Sequence, residues 1–379
     1  MMEPLSRRRF LQQSALAGGS LLVAGALTNS AASTTGPLPV PVVDELTIRE
    51  ITDTQQDIFL RTVTKPGLAV HRFTGAAAAA RGKTLESEWG LALQLASRAG
   101  AERRNYLLDF GFTSDVYANN RALMDIDVAP VDALLLSHGH YDHSGGLLGF
   151  LQTDRDRMRP GLRLYTGGEG NFCWRYNRNP DGTFTPFGTP LDRKKLQALD
   201  VEPVLSEAPL VVAGQAFTTG AIPRVSFEHV LPNTWVEYGR KAGLGCNPSA
   251  YHDHHFTAQE LAGSPVPDQH WHEQATCFHL RNRGLVVITS CGHAGIINTL
   301  LRARQVSGVD KIHALVGGFH LGPAPEAYLR QEMAALKTFT PDYVLPMHCS
   351  GQNFIDLAKQ EMPDALVLCC TGSTYQFTS

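Results

Sequence analysis

The amino-acid sequence predicts an α/β fold in which strands are covered by helices. Segments of strand and helix character alternate through the last third of the chain, and an apolar strand, "ALLLS", runs directly into a histidine-rich turn. The chain of 379 residues is 43% hydrophobic and 18% charged, which is typical of a globular protein. Alternation of this kind predicts sheets with helices packed against them.

The alternation is regular from residue 284 onward. Strands are predicted at 284–290, 311–319, 342–348 and 364–370, and helices at 294–308, 325–339 and 351–360. Earlier, 89–97 and 106–111 have the pattern of two hairpin strands, and a helix is predicted to begin at "LLGFLQT". The middle, 160–272, is rich in Pro and Gly, and 240–272 has the character of a long loop, either functional or simply solvated.

The N-terminal segment has the pattern of an export signal, with a basic start, a weakly apolar middle and a small-residue end. Arg7 and Arg8 resemble the twin-arginine export signature. The apolar run is shorter than the roughly 20 residues that span a bilayer. We therefore expect a signal peptide at 1–35, a proline-rich linker at 36–43 and one folded domain at 44–379. Export by the twin-arginine machinery, a periplasmic or secreted location and no stable membrane span follow from that expectation.

The net charge and the cysteine content indicate which substrates and which disulfides to expect. A formal net charge of -3 gives no electrostatic reason to expect nucleic acid, so a small molecule is the expected substrate. The seven cysteines include no CxxC pair, which argues against a disulfide scaffold, although an oxidising compartment would permit one bridge.

The stretch "SHGHYDHSGG", residues 137–146, concentrates metal-ligating side chains in one turn. His138, His140, Asp142 and His143 follow the apolar strand, and the neighbouring glycines allow tight turns that bring these side chains together. In an extended strand, alternate side chains would face opposite sides. Imidazole and carboxylate groups bind ions such as Zn, Fe and Mn. The stretch therefore predicts a metal site.

The pattern H-x-H-x-D-H after an apolar strand, with "LLDFG" upstream, resembles the signature of the metallo-β-lactamase superfamily. The resemblance implies a four-layer αββα sandwich with the metals at one edge between two sheets. It also implies that His138 and His140 bind a first metal and that Asp142 and His143 bind a second. Two divalent metal ions are expected, with Zn²⁺ preferred and Fe or Mn as alternatives.

The resemblance places the remaining ligands later in the chain. The strand "LVVITSC" puts Cys291 where the superfamily has a bridging acid, and "YVLPMHC" puts His348 at the position of the final histidine. A thiolate can ligate zinc as a carboxylate does. The third ligand of the first metal falls in "DQHWHEQ", where His270, His272 and Glu273 remain alternatives.

Two more histidines follow predicted strands at the same edge, His293 in "SCGHAG" and His320 in "GGFHLG". Each is a candidate catalytic residue, ligand or substrate contact, and the alternative for each is a structural role. Together with "PMHCSG" and "FTTGAIPR", these motifs resemble the superfamily branch of 7,8-dihydropterin-6-methyl-4-(β-ribofuranosyl)aminobenzene-phosphate synthase-like proteins.

Two cations about 3.5 to 4 Å apart make a shared water acidic enough to supply hydroxide near neutral pH. The sequence therefore predicts an exported metal-dependent hydrolase of a small ester, lactone or phosphoester, in which Asp142 binds metal and orients the attacking water. The alternatives are a condensing enzyme that joins a pterin to a phosphoribosyl donor, and a di-iron redox enzyme of the same fold. Export disfavours the first, because phosphorylated donors are used in the cytoplasm, and the chain has no room for the flavin domain usual in the second.

Overall fold

A computed structural model describes residues 36–251, 254 and 256–379. Residues 37–379 belong to one compact unit. The predicted export signal at 1–35, and with it Arg7 and Arg8, lies outside the described residues. Within the described part of the chain, no helix is both long and apolar enough to cross a membrane.

The described residues form twenty-two strands and eight α-helices. The strands are β1 (Val42–Val43), β2 (Glu45–Thr52), β3 (Val63–Lys65), β4 (Leu68–His71), β5 (Ala92–Ala99), β6 (Glu102–Leu108), β7 (Ala133–Leu136), β8 (Leu162–Thr166), β9 (Trp174–Arg178), β10 (Phe184–Pro186), β11 (Val201–Leu205), β12 (Val211–Val212), β13 (Ala216–Thr218), β14 (Trp235–Glu237), β15 (Arg240–Lys241), β16 (Leu244–Gly245), β17 (Val266–Pro267), β18 (Thr276–Leu280), β19 (Gly284–Thr289), β20 (Ile312–Gly318), β21 (Tyr343–Met347) and β22 (Thr374–Thr378). The helices are α1 (Gly75–Arg81), α2 (Ser114–Leu123), α3 (Tyr141–Ser144), α4 (Leu147–Asp154), α5 (Arg193–Ala198), α6 (Ile296–Ser307), α7 (Glu326–Thr338) and α8 (Gln352–Glu361).

Two large sheets carry the fold. The first has nine strands in the order β11-β8-β7-β6-β5-β2-β22-β4-β3, and the second has the order β12-β13-β18-β19-β20-β21, with β1 beside β18. Strands β6, β7 and β8 run parallel to one another, as do β19, β20 and β21. The carboxyl ends of each parallel set therefore meet at one edge of its sheet, where ligand sites of α/β proteins usually form.

The side-chain pattern of the strands explains the layers. In β19, Val286 and Ile288 join a buried apolar cluster that takes residues from both sheets, whereas Leu285 and Val287 join a cluster with α6, α7 and α8. A third cluster packs the outer face of the first sheet against α2, α4 and α5. Because successive residues of a strand face opposite sides, each sheet is covered by its partner sheet on one face and by helices on the other. The predicted four-layer αββα sandwich is confirmed.

The predicted hairpin is also confirmed, since β5 and β6 pair antiparallel from Leu93–Leu108 to Ala99–Glu102. The strand predicted at 364–370 is wrong. That segment makes a single bridge between Leu366 and Val344, and the last strand is β22. The reason is that the segment leaves the second sheet for the first: the Val367 N–H donates to the β21 carbonyl of Val344, and the Gly372 N–H to the β2 carbonyl of Glu50.

The irregular middle of the chain forms a separate small sheet in the order β10-β9-β14-β17. A disulfide joins Cys173, just before β9, to Cys246, just after β16. It ties the 240–246 part of the long loop to the small sheet. Of the loop's histidines, His254 contacts Phe256 and Glu260, whereas His252 and His255 lie outside the described residues.

Candidate metal centre

The sequence-predicted site residues meet at the edge where the parallel strands end. The histidine-rich turn follows β7 of the first sheet, and Cys291, His320 and His348 follow β19, β20 and β21 of the second. Residues from positions 138 to 348 are thus brought together by the parallel registers of the two sheets. All of them are buried except His320, which is partly exposed.

The neighbouring backbone leaves no room for a side chain at two positions of the turn. A Cβ on Gly139 would lie 2.5 Å from the carbonyl oxygen of Asn171, and a Cβ on Gly145 would lie 2.2 Å from that of Phe112. Any side chain at these positions would push the turn away from the neighbouring backbone. The glycines therefore act here through close packing.

Four histidines form the first group of candidate ligands: His138, His140, His270 and His293. The ring centroids of His138 and His140 are 4.6 Å apart, and both rings lie within 5.0 Å of His293. His270 stacks on His293 at 3.8 Å. Nitrogens of His140, His270 and His293 lie within 4.8 Å of one another, so the three rings could hold one cation together.

Asp142, His143 and His348 form the second group. Asp142 Oδ2 lies 3.3 Å from His348 Nε2 and 3.9 Å from His143 Nε2. The Cys291 sulfur lies within 4.8 Å of the ring nitrogens of both His143 and His348, and it makes the same approach to His138 and His293 of the first group. The thiol therefore lies between the two groups, where a bridging ligand would have to lie.

Buried polar atoms without partners show that the cluster suits cations. A buried polar atom that makes no hydrogen bond costs about 1 to 3 kcal/mol, so native structures rarely leave several together. Here the unpartnered atoms converge on one site, and nitrogen, oxygen and sulfur donors in this combination suit Zn²⁺ or Fe²⁺. These atoms are His138 Nε2, Asp142 Oδ1, His143 Nε2, His270 Nδ1, and both ring nitrogens of His293 and of His348.

The protonation states of His138, His140 and Asp142 agree with a ligand role, whereas that of His348 does not. Burial lowers the pKa of His138 and of His140 well below the usual value, and neighbouring imidazoles add to the effect. Both rings are therefore neutral, the form that ligates metals. Burial opposes ionisation of Asp142, but nearby His143 and His348 lower the pKa of its carboxyl. For His348, burial is outweighed by Cys349 and Asp142, which raise its pKa to about 9. A cation that binds His348 near neutral pH would therefore have to displace a proton from the ring.

Outer partners orient the candidate ligands. The Asp109 carboxylate contacts His143 Nδ1 at 2.8 Å and accepts a hydrogen bond from the Ser137 hydroxyl at 2.7 Å. Thr234 Oγ1 contacts His140 Nε2 at 2.7 Å, which leaves Nδ1 as the free nitrogen of that ring. Partners of this kind set the tautomer of a ligating histidine.

Of the three alternatives for the remaining ligand, only His270 offers a free nitrogen to the first group. His272 Nε2 accepts the Gly139 N–H at 3.1 Å and contacts the Arg175 guanidinium at 2.9 Å, so it supports the histidine-rich turn. Glu273 accepts the N–H groups of His293 and Ala294 at 3.0 and 2.6 Å and holds the turn after β19.

Three site histidines, His270, His320 and His348, have φ angles of 50, 48 and 49°. This left-handed conformation is rare outside glycine and costs free energy, so it persists where the surroundings impose it. At His348 the N–H donates to Asp53 Oδ1 at 2.8 Å. The strained backbone thus directs these rings toward the site.

A cavity of about 210 Å³ opens onto the two groups. Its described lining includes the rings of Trp89 and Phe187 and the neutral polar side chains of Asn177, Asn233 and Thr234, and none of the described lining residues is a lysine or an arginine. Trp89 is 57% exposed and its ring lies 5.1 Å from that of His348. The cavity therefore combines aromatic walls with amide and hydroxyl groups.

Sequence reasoning missed several residues of the site. Asp109 stands in the "LLDFG" motif and Cys349 directly follows His348, but the sequence alone predicted no role for either residue. Trp89 and Asn233 carried no local signal, because only the folded chain brings them to the cavity.

Comparison with known proteins agrees with this geometry. A family model described as metallo-beta-lactamase superfamily matches residues 96–157, which include the histidine-rich turn. The chain is 21% identical over 294 residues to the 7,8-dihydropterin-6-methyl-4-(beta-D-ribofuranosyl)-aminobenzene-5'-phosphate synthase of Methanocaldococcus jannaschii, covering 77% of this chain and 90% of that protein. An uncharacterised protein of the same organism is 25% identical over 249 residues, covering 65% of this chain and 80% of the relative.

Among solved structures, Tm1679, described as a metal-dependent hydrolase of the β-lactamase superfamily, superposes with a TM-score of 0.61 at 20% identity, covering 88% of this chain and all of that one. This likeness shows the fold. The chain thus has the metallo-β-lactamase fold, and the family model together with that fold supports its place in the metallo-β-lactamase superfamily.

Proposed function

We propose that the protein is an exported, metal-dependent hydrolase of small uncharged esters or lactones. The observation that carries the proposal is the convergence of buried, unpartnered donor atoms in two groups, with the Cys291 thiol between them, below an open cavity. In this proposal His138, His140 and His270 bind the first cation, His293 is a further candidate ligand for it, and Asp142, His143 and His348 bind the second.

Two divalent cations bound there would polarise a substrate oxygen and make water more acidic. The chain supplies the remaining functions. In this proposal Asp142 orients the attacking water, which its Oδ1 supports because that atom has no hydrogen-bond partner. His320 Nε2 lies 3.1 Å from the Pro232 carbonyl, so Nε2 carries a proton, and Nδ1 is the nitrogen that remains to exchange a proton with the leaving group.

The side chains that line the cavity limit the classes of substrate that fit it. Trp89 and Phe187 provide apolar contact area, and Asn177 and Asn233 provide amide donors and acceptors. A phosphoribosyl donor carries several negative charges, which proteins usually bind with arginine, lysine or a helix N-terminus. The two proposed cations would themselves bind one phosphate group, but the described lining has no Lys or Arg for the further negative charges of a phosphoribosyl donor. This favours an uncharged ester or lactone over the condensing reaction suggested by the distant relative, and the substrate panel decides between those substrates and a phosphodiester.

Export is proposed from the N-terminal sequence, and the Cys173–Cys246 disulfide supports it, because disulfides persist mainly in oxidising compartments. Exchanging both Arg7 and Arg8 for lysine should retain the protein in the cytoplasm. Fractionation and N-terminal sequencing of the exported form measure this. Equal export of the double variant would contradict the twin-arginine route.

Two measurements test the hydrolase proposal. Elemental analysis of the purified protein should find two divalent ions per chain, and iron in place of zinc would favour the redox alternative. A panel of matched aryl substrates should show turnover of the acetate ester and the lactone above that of the phosphodiester. Turnover only of a pterin with a phosphoribosyl donor would instead favour the condensing enzyme.

A further inference from the structure

Cys291 and Cys349 form a close pair of thiols at the candidate metal centre. They are 58 residues apart in sequence, yet their sulfur atoms lie 3.1 Å apart. Both are buried, with 2% and 6% of their surface exposed. This separation is shorter than an ordinary contact of two sulfur atoms and about 1 Å longer than the 2.05 Å bond of a disulfide.

The fold brings the two thiols together across a third strand. Cys291 follows β19 and Cys349 follows β21, and β20 lies between those strands. At the end of β20, a Cβ on Gly318 would lie 2.9 Å from the Cys349 sulfur and 2.3 Å from the Ser290 carbonyl oxygen. The missing side chain at Gly318 leaves the space through which the two sulfurs meet.

Each thiol also faces candidate metal ligands. The Cys291 sulfur lies within 4.8 Å of ring nitrogens in both ligand groups, and the Cys349 sulfur has the same relation to His320 and Cys291. The Cys349 sulfur accepts the His320 N–H at 3.2 Å. Both cysteines line the cavity, so a small oxidant that enters it can reach them.

We propose that Cys291 and Cys349 are a reversible modification site, at which a disulfide and bound cations exclude each other. The inference rests on the proposed function for its metal site. A sulfur within a disulfide no longer carries the thiolate charge that ligates a cation. Conversely, a cation bound by Cys291 would draw electron density from that sulfur and so lower its reactivity toward an oxidised Cys349.

The chemistry of the step is balanced. With hydrogen peroxide, one thiolate attacks the peroxide to give a sulfenic acid and hydroxide, and the hydroxide takes up the proton that the thiol released to become water. The second thiol then attacks the sulfenic sulfur, and a second water leaves as the S–S bond forms. With a small disulfide such as oxidised glutathione, two exchange steps produce the protein disulfide and two small thiols. In each case the protein loses two protons and two electrons, which the oxidant accepts.

The test compares the full-length protein loaded with zinc and the same protein treated with a chelator. Both are exposed to hydrogen peroxide, alkylated and digested, and the Cys291–Cys349 cross-linked peptide is quantified by mass spectrometry. We expect the cross-link in the chelated protein and its suppression by zinc. After oxidation, zinc affinity should fall by about 10-fold or more and recover with dithiothreitol.

Two variants complete the design. Cys349→Ser keeps Cys291 but cannot form the bridge, so after peroxide treatment it should give no cross-linked peptide, and dithiothreitol should restore zinc affinity only where Cys291 has stopped at the sulfenic acid. Cys369→Ser alters another buried cysteine away from the cluster and should behave as the parent protein does.

An equal yield of cross-link with and without zinc, or its absence from the chelated protein, would overturn the inference. Because none of these measurements needs a substrate, they separate the inference from the proposed function. If zinc and the disulfide exclude each other but no ester or lactone is hydrolysed, the hydrolase proposal fails and the inference about the two thiols stands.

Discussion

Replacement of Asp109 by asparagine tests whether a residue that contacts a candidate ligand, His143, affects the zinc affinity of the site. Asp109 follows β6, is fully buried and has a φ of 57°. Its Oδ1 accepts the Ser137 N–H at 2.9 Å, and its Oδ2 lies 2.8 Å from His143 Nδ1. The carboxylate thereby holds the proton of His143 on Nδ1 and leaves Nε2 free for a cation. Asparagine has the same size and tolerates this φ.

The expected loss of zinc affinity follows from the number of hydrogen-bond acceptors that each side chain offers. Asparagine has one carbonyl oxygen. If that oxygen faces His143 and the Ser137 hydroxyl, the amide NH₂ is left opposite the Ser137 N–H, so the three hydrogen bonds of the carboxylate cannot all be kept. If the amide NH₂ faces His143, the ring must move its proton to Nε2, the nitrogen that a cation needs. A hydrogen bond to a charged group contributes about 1.5 to 3 kcal/mol. Loss of such a partner weakens metal affinity about 10- to 100-fold, or about 1.4 to 2.7 kcal/mol.

Competition with a chromophoric chelator measures the zinc affinity of Asp109→Asn, and circular dichroism shows whether the fold is retained. Asp125→Asn is the matched control, because Asp125 also has a positive φ of 52° but its side chain is 74% exposed and pairs only with Arg81 at the surface. We expect unchanged affinity in the control. A folded Asp109→Asn protein that binds zinc as tightly as the parent would refute the reasoning.

Three more substitutions, at Asp142, Trp89 and Glu332, test the mechanism, the cavity and a buried carboxyl group. Asp142→Ala should abolish hydrolysis while the melting temperature of the metal-free protein stays within a few degrees; retained turnover would remove Asp142 from the mechanism. Trp89→Ala should raise KM about 3- to 10-fold with little change in kcat, since an aromatic contact contributes about 0.5 to 1.5 kcal/mol; an unchanged KM would place the substrate elsewhere. Burial and the neighbouring Glu228 raise the pKa of Glu332 from 4.5 to about 10. Its contribution to stability is therefore complete below pH 4.5 and is lost as the pH rises toward 10. At about 1.4 kcal/mol per pH unit, Glu332→Gln should raise the free energy of unfolding by about 3 kcal/mol at pH 7 and hardly at about pH 4. Urea denaturation at the two pH values measures this, and an equal effect at both would contradict it.

The local parts of the site could be predicted from the sequence. His138, His140, Asp142 and His143 lie within six residues, so a strand followed by a glycine-rich turn is enough to bring them together. The regular strand and helix pattern from 284 onward was likewise sufficient for most of the second sheet, because its apolar periodicity reflects burial on both faces.

The parts that could not be predicted depend on contacts between distant segments. The choice among His270, His272 and Glu273 required the structure, since all three lie in one irregular loop and differ only in what each side chain meets. The segment 364–370 has the composition of a strand, but its backbone groups are divided between two sheets.

By itself, the order of apolar and polar residues determined an α/β fold with strands covered by helices, and the metal-ligating turn. The αββα arrangement was implied by the resemblance of that turn to a known superfamily. The tertiary structure alone decided how the ligand groups are completed and what surrounds them. Parallel strands β19, β20 and β21 end at one edge, so Cys291, His320, His348 and Cys349 meet there although up to 58 residues separate them. The physical reason is that strand register, which residue order does not state, fixes which side chains share that edge.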